Sequence, residues 1–276
     1  MMLDVYSFPR DYLVMWHIGA RLGVAPVRRY LRRAWREGKR TFVDVGSGGG
    51  SNSLLAAREG FDVTSCDLTS ACLRETARVA RRIGVQRRLH ALRSDALCLP
   101  FADDSFDVAF ASHIIEHLDD PRGLLRELNR ILKPGGTLRL ACPTPYHGMR
   151  VSRRLGYRLD PPDHKVLGYA VSDIVSMLPS GMTVQRVTYQ GRFLEANLAD
   201  VQHVVSRRLG LRANPVEAVE DSERRSSGIG VVMAVAKEVL LVPAVAFCRL
   251  EDALLAFTKG SMMSLEITKA DGSGKS

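Results

Sequence analysis

Three carboxylates and a knot of glycines are the residues in this sequence best suited to hold a charged ligand. Asp44 stands before Gly46, Ser47, Gly48, Gly49 and Gly50 in the run T-F-V-D-V-G-S-G-G-G-S, residues 41–51. Glycines turn the chain at positive φ and leave no Cβ between a ligand and the main chain. A carboxylate two residues ahead of the first glycine suits a cationic ligand and suits a phosphate poorly. The pattern is G-x-G-x-G, and the third small position of the dinucleotide fingerprint would fall on Ser51. Asp67 follows Gly48 by 67 − 48 = 19 residues, a spacing that brings a carboxylate to ribose hydroxyls when it ends the next strand. Asp95, followed by Ala96, can accept a hydrogen bond from an adenine amino group. The plainer alternatives are a ligand-free glycine turn, a surface Asp opening a helix, and a turn Asp.

These residues need strands that deliver them to one edge. Thr41–Val45 is a short β-branched and aromatic run and reads as a buried strand, with a helix opening near Ser51. Phe61–Leu68 reads as the second strand and Thr69–Ile83 as a helix. Arg88–Ser94 is the third strand and Phe106–Ser112 the fourth. His113–Leu118 is a short helical turn. Asp119-Asp120-Pro121 caps a helix running to Leu132. Lys133-Pro134-Gly135-Gly136 stops it, and Thr137–Ala141 is the fifth strand. Strands alternating with helices argue for a doubly wound α/β sheet.

Length and composition set the frame. The chain has 276 residues, enough for one large domain or a domain with an insertion. Its 46% hydrophobic and 25% charged content is ordinary for a globular protein. The net charge of +9 points to anionic partners (nucleic acid, a phosphorylated substrate or an acidic membrane surface) or to a basic surface kept for solubility. Five cysteines without a C-x-x-C pair or Cys/His clustering argue against a disulfide framework and against a zinc site, so no metal is expected. A reducing, cytoplasmic location is expected, since no secretory signal is visible.

Taken together, the motifs resemble the class I S-adenosylmethionine-dependent methyltransferases. They are V-D-V-G-S-G-G-G, Asp67 at the second strand's end, S-D-A, L-P-F-x-D-x-S-F-D-V, E-H-L-D-D-P and L-K-P-G-G. The nearest subgroup is the type 11-like one acting on small molecules and lipids, including quinone-biosynthesis methyltransferases. The resemblance covers about residues 41–190. It implies a Rossmann-like, seven-stranded, mostly parallel sheet with S-adenosyl-L-methionine as cofactor. Asp44, Gly46, Ser47, Gly48 and Gly50 would then lie beside the cofactor's methionine part. Asp67 and Leu68 would meet the ribose, Asp95 and Ala96 the adenine, and Ser112 the region near the sulfonium. His164 and Tyr169 would approach the acceptor, with His117, Tyr146 and His147 also lining its site. For a hydroxyl or acidic-carbon acceptor, a general base contributes ~10²–10⁴-fold. His164 is the first candidate and His113 the second.

The flanks depart from a minimal domain. Residues 1–40 form a helical extension in which Val27, Tyr30, Leu31, Ala34 and Trp35 keep helical spacing among arginines. It either packs on the sheet or lies on a membrane surface. Residues 41–190 are the cofactor-binding core. Residues 191–260 are a helical, partly apolar insertion ahead of a last strand within 261–269, and 270–276 form a disordered tail. The uncharged run Val239–Cys248 is shorter than the ~20 residues of a spanning helix. It covers the core, joins a second copy, or lies in a membrane interface with Arg150, Arg153, Arg154, Arg207, Arg208 and Arg212 toward anionic headgroups. The expected partner is a small or lipid-like acceptor, with an anionic membrane surface (peripheral association) and a second copy of the chain as open alternatives. Nucleic acid is disfavoured, because the N-P-P-Y pattern of amino-methylating enzymes is missing after the fourth strand. A non-catalytic cofactor-binding scaffold is the remaining alternative, disfavoured because it would not need Asp44, the glycines and Asp67.

Overall fold

The computed structural model describes residues 18–146, 164–194, 196–198, 200–201, 246–248, 250–251, 253–255 and 258–271. His147, Arg150, Arg153, Arg154, Arg207, Arg208, Arg212 and most of the apolar run 228–248 lie outside them.

In chain order the elements are α1 (Ile18–Arg36), β1 (Thr41–Val45), α2 (Ser51–Arg58), β2 (Asp62–Asp67), α3 (Ser70–Arg82), β3 (Leu89–Arg93) and β4 (Phe106–Ser112). Then follow α4 (Pro121–Ile131), β5 (Leu132–Pro143), α5 (Val171–Met177), β6 (Met182–Gln190) and β7 (Met262–Lys269). The strands form one seven-stranded sheet in the order β3-β2-β1-β4-β5-β7-β6. β1 to β5 are parallel, and β7 runs antiparallel between β5 and β6. The order reverses between β1 and β4, and in sheets of this kind ligands bind beyond the carboxyl ends of the strands at that point.

The central strands are apolar on both faces because helices cover both, as parallel sheets require. The alternation of side chains sorts them. Phe42, Val63 and Phe110 point to one face, with Val27, Tyr30 and Leu31 of α1 and Leu54 and Leu55 of α2. Val43, Val45, Ala109 and Leu140 point to the other, against Leu124, Leu125 and Leu128 of α4. The N-terminal helix therefore packs on the sheet. Tyr30 Oη lies 2.6 Å from Thr137 Oγ1, and burial pushes this phenol up to about 12. Arg28 and Arg32 both reach Glu59, and Arg33 reaches Glu266, so part of the basic face is spent on ion pairs.

Several element ends differ by a residue or two from the sequence reading, and the start of β5 differs by more. β5 starts at Leu132 rather than Thr137, because Leu132 already pairs with Phe106. Lys133–Gly136 is an irregularity inside the strand, with Gly135 at φ +71°, instead of a loop ahead of it. The helical turn after β4 contracts to Ile115–His117. No disulfide joins any of the five cysteines. No helix among the described residues is long and apolar enough to cross a membrane.

Candidate active site

The glycine turn leaves β1 and is pinned to β2. Ser47 N donates to Cys66 O at 2.9 Å, and Gly48 N donates to Asp67 Oδ2 at 2.8 Å. The other Asp67 oxygen accepts from Thr69 N, also at 2.8 Å. The carboxylate at the tip of β2 is thus held in one orientation by main-chain donors. An ionised carboxylate has about four acceptor sites, so two N–H bonds leave room for ribose hydroxyls. Leu68 beside it is 60% exposed, an apolar surface at the strand tip that the described residues leave open. Ser94 N donates to Asp67 O, which brings the end of β3 alongside. There Asp95 is exposed and accepts from Leu97 N at 2.9 Å, while Ala96 is buried behind it.

The turn has a closed side and an open side. A Cβ on Gly46 would fall 2.4 Å from Ile114 Cδ1 and one on Gly50 2.3 Å from Thr76 Oγ1, so the fold itself requires glycine there. A Cβ on Gly48, at φ +50°, would meet nothing within 4 Å. That open face lies next to the Asp67 carboxylate and near the start of α2, whose N-cap Gly50 supplies no side-chain acceptor. An exposed cradle of main chain, an anchored carboxylate and an adjacent apolar surface fit an adenosine-type ligand with a cationic group.

Asp44 sits differently from its two partners. It is 1% exposed and faces α2, where Ser53 Oγ donates to its Oδ2 at 2.7 Å. Ser53 Oγ also lies 3.1 Å from Ser65 Oγ, which donates to Ser47 Oγ at 2.8 Å. Burial pushes the Asp44 carboxyl up to about 6, against the opposing bonds from Ser53. Asp44 therefore underlies the turn and connects to it through serines; it does not line the open face.

Across the switch point, Ser112 Oγ at the end of β4 accepts from Asn52 Nδ2 at 3.3 Å. Asn52, in the first turn of α2, escaped the sequence reading because S-N-S there looks like ordinary capping chemistry. His113 follows with φ +54°, a conformation rare outside glycine and typical of functional strand ends. Its amide donates to Ala141 O, and its Nδ1 lies 3.3 Å from Glu116 Oε1. Glu116 is fully buried, and its second oxygen has no partner among the described residues. His117 and His164 meet edge to face, with ring centres 4.7 Å apart. One donor atom each from Glu116, His117 and His164 lie within 4.8 Å of one another. The sequence reading assigned no metal ligands. This juxtaposition escaped it because His164 is 47 residues along the chain from His117. The main chain makes the meeting: Lys165 N and Val166 N both donate to Glu116 O.

The two tyrosines part company. Tyr169 is buried, its hydroxyl donates to Ile115 O at 3.4 Å and its amide to Pro143 O, so it props the turn after β4 from inside. Tyr146 Oη accepts from Lys259 Nζ at 2.9 Å, and the Tyr146 ring lies 6.5 Å from that of Tyr189. It belongs to the edge near β6 and β7.

Comparisons with known proteins agree with this geometry. Residues 43–140 match a family model described as a methyltransferase domain. A demethylmenaquinone methyltransferase of Clavibacter sepedonicus is 35% identical over 124 residues, 45% of each chain. The methyltransferase GfsG of Streptomyces halstedii is 35% identical over 100 residues, 36% of each chain. The matched stretch spans less than half the length of these relatives. Among solved structures, one provisionally named a sarcosine dimethylglycine methyltransferase from Galdieria sulphuraria superposes with a TM-score of 0.54 at 15% identity, over 90% of this chain and 86% of that one. The [4+2]-cyclase SpnF superposes with a TM-score of 0.51 at 23% identity, over 85% and 76%. At such identities the likeness concerns the fold alone, and the cyclase shows that this fold serves more than one chemistry. The sequence match and the sheet order converge: residues 43–140 are similar to a methyltransferase domain, and the seven-stranded sheet has the fold of the solved methyltransferase structures it superposes on.

Proposed function

We propose that the protein is an S-adenosylmethionine-dependent methyltransferase acting on an oxygen, or an acidic carbon, of a small acceptor. The observation that carries this reading is the bond from Gly48 N to Asp67, which sets an open main-chain cradle beside a fixed carboxylate at the switch point. S-adenosylmethionine, when bound, supplies a methyl group already activated by the sulfonium charge. Asp67 holds ribose hydroxyls, Leu68 and Ala96 flank the base, and Asp95 accepts from its amino group. Gly46, Ser47, Gly48, Gly50 and Ser112 line the remainder, and Asp44 adds negative charge beneath a cationic ligand. Alignment of the reacting groups is the main contribution asked of the protein, and it can supply several kcal/mol. His113, exposed and oriented by Glu116, is placed to take a proton from the acceptor, with His117 and His164 beside it.

The acceptor is lipid-like in the finer form of this proposal. Relatives named for demethylmenaquinone methylation support it, as do exposed apolar side chains toward the C-terminal region. These are Phe193, Val201, Phe247, Leu250 and Leu254. Residues 191–260 would cover the acceptor or touch a membrane, and residues 1–40 would brace the sheet.

Thermal shift with S-adenosylmethionine tests the cofactor assignment, since a ligand that binds only the folded state raises the melting temperature. Wild type should shift and Asp67→Ala should not. Equal shifts for both, or none for wild type, would remove the basis of the assignment. Incubation with methyl-labelled cofactor and a lipid extract then identifies the acceptor, and label confined to water-soluble products would end the lipid reading.

A further inference from the structure

We propose that Glu116, His117 and His164 form a binding site for one divalent transition-metal ion, placed to coordinate an oxygen of the acceptor. The site stands on three observations. The donor atoms come within 4.8 Å of one another, and all three residues are buried or half-buried. Around a tetrahedral cation with ligands at ~2.0–2.1 Å, donor atoms stand ~3.4 Å apart, so small ring rotations close the set. The second observation is independent of that clustering. Glu116 is 0% exposed, and one of its oxygens is buried with no hydrogen-bond partner among the described residues. A carboxylate oxygen buried without a partner carries a desolvation penalty, larger when the group is charged, unless something positive meets it. The other Glu116 oxygen is taken by His113, which leaves the orphan for the cation. Third, the ligands are fixed by main chain, because Lys165 N and Val166 N donate to Glu116 O and hold the His164 segment against the turn.

Two imidazoles and one carboxylate select zinc, iron, cobalt or nickel over magnesium, which prefers oxygen ligands. Three protein ligands leave coordination positions open, as in metal sites that act on a substrate. The site lies on the turn that leaves β4, beside His113. A hydroxyl coordinated there would ionise more readily, which lightens the task of a base. This role for the metal rests on the proposed methyl transfer; the binding of the metal does not. His164 then acts as a ligand and leaves proton removal to His113.

Cobalt is the probe. The full-length chain is stripped with a chelator, dialysed and titrated with Co²⁺ while the visible d–d bands are recorded. One equivalent of cobalt should give bands in wild type and in His90→Asn, a control at an exposed histidine on β3. Outer-shell changes at metal sites already cost ~10–100-fold in affinity, so loss of a direct ligand in Glu116→Gln or His164→Asn should cost at least ~100-fold. Absence of bands in wild type, or equal affinity in all four proteins, would overturn the proposal. A second measurement needs no variant: Co²⁺ should slow diethylpyrocarbonate modification of His117 and His164 but not of His90, and unchanged rates at all three also overturn it. Thermal shift with S-adenosylmethionine is read on the same samples. A cofactor shift without cobalt binding sinks the metal site alone, and cobalt binding without a cofactor shift sinks the methyltransferase reading alone.

Discussion

Replacing Asp44 by Asn should make the protein more stable at neutral pH and a poorer binder of a cationic cofactor. Asp44 is wholly buried, and desolvation raises its carboxyl from 3.8 to about 6. The folded state therefore holds a proton that the unfolded chain releases between those values. The stability this contributes is complete below the unfolded pKa of 3.8 and is lost as pH rises through about 6. At 1.36 kcal/mol per pH unit the full loss is ~3 kcal/mol, of which ~2 kcal/mol falls between pH 4.5 and 7. Asparagine keeps an acceptor for Ser53 Oγ and has no charge to desolvate. Urea unfolding of both proteins at pH 4.5 and 7 isolates the effect, because every other titrating group is common to the pair. The stability difference, Asp44→Asn minus wild type, should grow by ~2 kcal/mol over that interval, while calorimetry at pH 7.5 should show weaker binding of S-adenosylmethionine. A pH-independent difference would refute the desolvation argument. Unchanged cofactor affinity would refute the idea that this costly charge is kept for the ligand.

Three further outcomes follow from the turn and the sheet. Gly48→Ala should cost only ~1–2 kcal/mol of stability, from its left-handed φ, yet block cofactor binding; Gly46→Ala should lose far more stability by colliding with Ile114, as denaturant midpoints will show. Asp67→Asn should weaken cofactor binding roughly tenfold or more by calorimetry, since each bond to a charged group is worth ~1.5–3 kcal/mol, and should also lower the unfolding midpoint, because the amide nitrogen cannot accept one of the two main-chain N–H bonds. Despite partial burial, Lys133, Thr41 and the Arg40 amide hold the Asp107 carboxyl down to about 2. That stability is present above 3.8 and lost as pH falls toward 2, so acid-unfolding curves of wild type and Asp107→Asn should converge at low pH and separate above pH 4.

How much of this was legible in the chain follows from the range of each interaction. β4 could be read residue for residue from F-D-V-A-F-A-S, since the centre of a strand buried on both faces, here V-A-F-A, is an unbroken apolar run. The seven-stranded mostly parallel sheet was expected from motifs in a fixed order, each a local turn or cap; Asp120, for one, accepts from Gly123 N as an N-cap should. The start of β5 was misplaced because Pro134 and two glycines signal a stop locally, whereas pairing of Leu132 with Phe106 is a long-range event. The same limit governs the site. Asp67 and Gly48 are 19 residues apart within one β-α-β unit, so their bond could be anticipated from spacing. The orientation of Asp44 could not, because it depends on which face of β1 meets Ser53 and on how completely α2 covers it. The meeting of His164 with Glu116 and His117 was further out of reach, since two main-chain bonds across some fifty residues create it. Carboxylates at strand tips are thus written in the local sequence, whereas the neighbours of Glu116 and His117 are set by the path of the chain after β5.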